Sequence, residues 1–316
     1  MRHIRLGLIT LAVIGSCWVI GEAGAQQVSD DAKKCVDDSL PPDPAIQACT
    51  RAIDSKQIPA GRALAELYYH RGNAWSVKDN LDKAIADYDA ATQSDKTYVP
   101  AFVGLARAWL FKGDTDKAMA NLNTSVSLDP RDPGKFYVRS RIWLIKGEPN
   151  KAVADLDAAI RIRPDMAPAY GARGRAKFYR GQFPEAIADL KQYADRDPSP
   201  YTFLWSYLAK TRANQDGKAD LDQAATMVQP TQWPGPLVRA FQGQLDRAGV
   251  LAAIAKANAN ARNDQTCEAE FYLGELAQSL GKSDEAEKSF NRAIEICPKN
   301  FIEYEGAVAE LKSLKK

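Results

Sequence analysis

The residues able to do chemistry in this chain are few, and most of them recur at a fixed spacing. Histidine occurs only as His3 and His70, which leaves little room for imidazole metal sites or general bases. The sequence holds no Gly-rich phosphate loop, no H-E-x-x-H and no G-x-S-x-G. No catalytic residue, cofactor or metal site is therefore assigned. Arg71, Arg139 and Arg173 are each followed sixteen residues later by an acid, Asp87, Asp155 and Asp189. Where Leu105 stands in place of the Arg, Asn121 stands in place of the Asp. That joint change predicts three structural ion pairs, each a guanidinium fork on a carboxylate. Asp216, Asp220 and Asp222 form one more acidic group, in a stretch from Tyr201 to Asn263 that repeats poorly. An enzyme hidden there would need a polar cleft around them, and nothing else in the sequence supports one.

Composition sets the frame for these residues. The 316-residue chain has 42 basic and 40 acidic residues and a net charge of +2. Such a balance argues against a nucleic-acid binder that works through excess positive charge. A hydrophobic fraction of 45% with 26% charged residues permits a real core. Met1–Ala25 reads as an export signal: Arg2 and Arg5 precede the apolar run Leu6–Ile20, and Ala23-Gly24-Ala25 offers a cleavage site. The alternative uses Ile14-Gly15-Ser16-Cys17 as a lipobox, with a lipid on Cys17. Cleavage near Ala25 is preferred because Trp18-Val19-Ile20 continues the apolar run past Cys17. Either way the expected compartment is periplasmic or secreted, and oxidising. Cys35, Cys49, Cys267 and Cys297 are then disulfide candidates, and they lack the C-x-x-C spacing of a zinc site.

The positioning elements come from a period of 34. Ala84, Ala118, Ala152 and Ala186 follow it, as do Trp75, Trp109 and Trp143, Gly113, Gly147 and Gly181, and Pro130, Pro164 and Pro198. Each repeat reads as two amphipathic helices, the first stopped by Gly and the second by Pro. The small Ala positions let the two helices approach, and the Trp ladder is read as core beside them.

Phe136, Arg139, Ser140, Trp143, Ala152, Leu156, Ala159 and Pro164 resemble the tetratricopeptide (TPR) signature. Tyr170, Arg173, Gly174, Ala186, Leu190, Tyr193 and Pro198 resemble it one repeat later. The implied fold is all-α, a right-handed TPR superhelix (α-solenoid) of antiparallel helix pairs with a C-terminal capping helix. The expected segments are the signal at 1–25, a half repeat with extension at 26–64, and four regular repeats at 65–200. Two degenerate repeats follow at 201–266, then a C-terminal repeat at 267–300 and a cap at 301–316. The C-terminal half is also similar to bacterial NlpI-type periplasmic TPR lipoproteins. That similarity rests on Asp195-Arg196-Asp197-Pro198, Leu204-Trp205-Ser206-Tyr207-Leu208-Ala209, Phe271-Tyr272-Leu273-Gly274 and Asn300-Phe301-Ile302-Glu303-Tyr304.

The TPR resemblance implies a groove lined by first helices. Its candidate lining is Tyr69, Asn73, Arg107, Phe111, Tyr137, Arg141, Arg175 and Tyr179. Three Arg among aromatic and aliphatic groups suit a peptide or protein segment with acidic groups. The competing reading has these Arg solvated or paired with acids of the chain itself. Cys267 is read as opening a first helix and Cys297 as closing its partner, which brings them together, and Cys35 and Cys49 would staple the N-terminal half repeat. The expected function is a non-catalytic periplasmic scaffold or adaptor. The NlpI-type similarity implies envelope proteases or peptidoglycan hydrolases as partners. The charge balance argues against nucleic acid, no apolar run after the signal is long enough for a transmembrane span in the mature chain, and a homodimer is allowed. The alternative is an assembly factor of a secretion or polysaccharide-export machine.

Overall fold

The computed structural model describes residues 26–314. The export signal and Cys17 lie outside the described residues. Among those residues there are helices and no strands. The chain divides into two compact units, Met1–Ala108 and Trp109–Lys316.

The first unit holds α1 (26–35), α2 (Pro42–Asp54), α3 (Arg62–Val77), α4 (Leu81–Ser94) and most of α5 (Val99–Phe111). Asn80 begins α4 by accepting a hydrogen bond from the Lys83 amide, which satisfies one of the free donors of the first turn. Small residues then set how closely the helices approach. The ring of Tyr88 lies between Gly72 and Gly104, where an added Cβ would stand 2.7 Å and 2.8 Å from Tyr88 Cε1. Ala65, Ala91, Tyr98 and Ala101 are buried beside it. At the N-terminal end the buried Asp31 accepts from Arg51 Nε at 3.1 Å and from Nη2 at 2.8 Å.

The second unit continues with α6 (Thr115–Leu128), α7 (Pro133–Ile145), α8 (Pro149–Ile162), α9 (Ala167–Phe178) and α10 (Phe183–Ala194). It goes on through α11 (Pro200–Arg212), α12 (Lys218–Thr226), α13 (Gly235–Phe241), α14 (Arg247–Ala255), α15 (Ala259–Ser279), α16 (Ser283–Ile296) and α17 (Ile302–Leu314). Pro occupies the first turn of each of α7 through α11, where its missing N–H loses no helical hydrogen bond because the first-turn amides have no helical partner. The Gly ladder ends first helices in the left-handed region, with Gly147 at φ +67°. One period before Gly113, Asp79 takes the same conformation at φ +57°, a role open to Asp at some steric cost. The Ala ladder is fully buried.

Three elements differ from the sequence expectation. The degenerate stretch forms α11 and α12 as one pair, but α13 and α14 have only seven and nine residues: Pro230 and Pro234 delay the start of α13, and Gly243 at φ +71° separates it from α14. Cys267 does not open a first helix. It sits inside α15, which starts eight residues earlier where Asn258 accepts from the Ala261 amide. Finally, α17 is not a solvating cap. It packs against α7, α15 and α16, and Glu303, Glu305, Gly306, Ala307, Glu310 and Leu311 are buried.

Candidate binding groove

The repeats are held by charge as well as by small residues. Arg71, on α3, places Nε 2.8 Å and Nη2 2.7 Å from the two carboxylate oxygens of Asp87 on α4. Arg139 and Asp155 do the same at 2.8 Å and 2.6 Å, and so do Arg173 and Asp189. Each fork also reaches back one helix, Arg71 to Thr50, Arg139 to Asn123 and Arg173 to Asp157. The pairs thus join three consecutive helices. In the later repeat, where Leu273 and Ser289 replace the pair, Arg247 of α14 donates to Ser289 Oγ at 2.8 Å and pairs with Glu270.

The cysteines pair as Cys35–Cys49 and Cys267–Cys297, with Cα atoms 4.6 Å and 4.9 Å apart. Each bridge contributes about 3 kcal/mol in the chain-entropy account. The Trp ladder is less buried than read from the sequence. Trp75, Trp109 and Trp143 are half-buried, and a lysine covers each ring: Lys83 at 4.1 Å, Lys117 at 4.0 Å and Lys151 at 4.6 Å from the centroid. A cation on the indole face replaces the second wall of a closed core.

His70 faces Asp38, with Nδ1 3.3 Å from the carboxylate. Asp220 pairs with Lys210 and Asp222 with Lys218, each at 2.6 Å, and Asp216 accepts from the Lys218 amide. These acids hold helix α12 in place, so they do not converge on a cleft. Among the described residues no group of three or more His, Cys, Asp or Glu could hold a metal ion, and no helix is long and apolar enough to cross a membrane.

The groove candidates fall into both units. In the first, Tyr69 packs on Tyr88 and Tyr98, Asn73 accepts from Tyr88 Oη at 2.9 Å, and Arg107 is exposed. In the second, Phe111 is half exposed and Tyr137 half-buried. Arg141 and Arg175 do not face an open groove. Arg141 pairs with Glu305 and donates to the Asn300 carbonyl, while Arg175 is 5% exposed and lies over the Trp205 ring. Tyr179 carries a buried hydroxyl without a partner. The chain's own last helix covers this surface, so the reading that paired the Arg ladder with acids of the chain is the one that describes Arg141.

Sequence reasoning missed the acids of that helix. Glu303, Glu305 and Glu310 are 6%, 1% and 3% exposed. Burial raises all three carboxyls, Glu303 to about 7, with Glu268 and Glu305 adding to the rise and Arg175 opposing it. Arg212 shares its Nη2 between Glu275 at 3.3 Å and Glu310 at 3.2 Å. The available signal was the Gly306-Ala307 step between glutamates, small residues inside a helix that otherwise reads as a polar end.

Residues 267–300 match one tetratricopeptide-repeat family model, and residues 172–208 match a second. Among solved structures, a tetratricopeptide repeat protein from Parabacteroides merdae is similar at 14% identity and a TM-score of 0.58, with 90% of this chain and 99% of that one covered. YrrB, a TPR protein with an unusual peptide-binding site, is similar at 19% identity and a TM-score of 0.51, covering 64% of this chain and 100% of its own. The C-terminal part of a TPR repeat-containing protein from Cytophaga hutchinsonii aligns at 14% identity and a TM-score of 0.50, covering 90% and 98%. At these identities the likeness is one of fold.

Proposed function

The chain is a tetratricopeptide-repeat protein, and from that premise we propose that it is a non-catalytic scaffold of the bacterial envelope. Its first helices hold segments of other proteins, and it brings envelope proteases or peptidoglycan hydrolases together. The observation that carries this reading is the docking of α17: the first-helix surface of the second unit already holds a helix through Arg–Glu pairs. A surface able to bind one helix by side chains alone can bind another of the same chemistry. YrrB, a protein of the same repeat class described as having a peptide-binding site, supports the same use. Export is supported by the N-terminal apolar run and by two disulfides, which persist where thiols are kept oxidised.

The test is crosslinking in intact cells followed by mass spectrometry of the tagged chain, with parallel fractionation. Recovery of envelope hydrolases or proteases from the periplasmic fraction is the expected result. A cytosolic chain, or crosslinks confined to secretion or polysaccharide-export machinery, would reject the adaptor reading.

A further inference from the structure

The buried face of α17 is its acidic face, the reverse of what a terminal helix normally presents to its own protein. Glu305 meets Arg141 of α7, Glu310 meets Arg212 of α11, and Arg175 of α9 acts on both Glu303 and Glu305. Gly306 lets the helix backbone touch aromatic side chains. A Cβ there would stand 2.5 Å from Phe271 Cε2 and 2.6 Å from Tyr179 Oη.

The layer underneath is an aromatic core that α17 shares through Ala307 and Leu311, and its polar atoms are incompletely matched. Tyr179 Oη, Trp205 Nε1, Tyr272 Oη, Arg141 Nε and Arg212 Nε are buried with no hydrogen-bond partner on the protein. Each such atom has lost its water and gained no partner in exchange. A cavity of about 510 Å³ remains where Ala309, Lys312 and Ser313 face Leu144, Gly147 and Tyr179. A helix selected only to close the fold would present apolar residues such as Ala307 and Leu311 throughout, since buried ion pairs are weak stabilisers beside well-packed hydrophobic groups. The layer instead has the donors of a site that reads carboxylates.

The covering helix is also tethered in a way that suits replacement. The Cys267–Cys297 bridge pins the end of α16 to α15, and four residues, 298–301, separate that anchor from α17. A short tether gives α17 an effective concentration on the order of millimolar or above at this surface. It therefore outcompetes a free segment of similar affinity unless that segment binds better or α17 is displaced.

We propose that α17 is an internal ligand, and that the surface beneath it is a receptor for an acidic helix with carboxylates on both sides of a glycine or alanine. A partner protein carrying such a helix replaces α17. This rests on the scaffold reading above and names the chemistry of the segment that is held.

The experiment uses the full chain and a fluorescent peptide of residues 299–316. Gly306→Val ejects α17 without altering any residue of the receptor layer. A second form carries a protease site between Lys299 and Asn300 and is cut after folding, which keeps the test available if Gly306→Val folds poorly. Anisotropy should show the peptide binding both opened forms at least tenfold more tightly than the intact chain. The same peptide with Glu305 and Glu310, the two acids that meet Arg141 and Arg212, changed to Gln should bind at least tenfold more weakly. Equal binding of the two peptides, or no binding to opened chains that keep their helical circular dichroism, overturns the inference. An opened chain that binds the acidic peptide but crosslinks to no envelope protein leaves this inference in place and removes the scaffold reading. Native crosslinks without peptide binding do the reverse.

Discussion

Lys312 Nζ donates to the carbonyl oxygen of Gly147 at 2.8 Å, although 165 residues separate them. Six residues earlier on α7, Arg141 meets Glu305, which lies seven residues before Lys312 on α17. The two contacts fix the direction of docking: α17 runs parallel to α7, as one more first helix would. Lys312 thereby reaches the carbonyl end of α7, where a cation is favoured.

The stability of this docking depends on pH through Glu303. Its folded carboxyl is raised from 4.5 to about 7 by burial, with Glu268 and Glu305 reinforcing the shift and Arg175 opposing it. A raised acid keeps its proton in the docked state and loses it when released. The stabilisation is therefore fully present below about 4.5 and is lost as pH rises through about 7. The size is roughly 3 kcal/mol across that window. Amide exchange of residues 302–314 should be slower at pH 5 than at pH 8. Glu303→Gln should reduce that difference, with the raised Glu305 and Glu310 carboxyls supplying the remainder, and an unchanged pH profile in that variant would count against Glu303 as a source.

The repeat ion pairs should be strongly coupled. Asp155 accepts from both nitrogens of the Arg139 fork and from Trp143 Nε1 at 3.1 Å. Asp155→Ala should cost about 2–4 kcal/mol, because it strands a half-buried guanidinium and an indole donor. Arg139→Ala should cost less, and the double variant little more than Asp155→Ala alone. Urea midpoints for the four proteins check this, and additive losses would refute coupling.

The cysteines give a direct chemical readout. Thiol titration of the non-reduced, denatured chain should find Cys35, Cys49, Cys267 and Cys297 unreactive. Reduction should lower stability by about 3 kcal/mol for each bridge. It should also loosen α17, since Cys297 anchors the segment that leads into it.

Close approach at Tyr88 can be tested by adding one methyl group. Gly72→Ala places a Cβ 2.7 Å from the ring, and overpacking of this kind costs about 1–3 kcal/mol. Thermal unfolding should show the loss, and Tyr88→Leu in the same chain should recover part of it by making room.

The 34-residue period was legible because helix pairing is local. Ala152, Gly147 and Pro164 each act on neighbours within one repeat, so their spacing alone reports the helix, its stop and its close contact. The Arg139–Asp155 pair was legible for the same reason, since the two residues always change together. Arg141 was not. Its place in the repeat said that it lines the first-helix surface, but its partner sits on a helix that only returns to that surface in three dimensions. Nothing periodic links Arg141 to Glu305, or Arg212 to Glu310.

By itself, then, the sequence determined the helix pairs, the ladder of stapling ion pairs and the cysteines able to cross-link, because each is an interaction between residues close in the chain, at most 30 apart for the cysteines. Tertiary structure alone decided that α17 lies on the first helices with its acids inward. That choice depends on a surface assembled from α7, α9, α11 and α15 together, and no one of those helices encodes it.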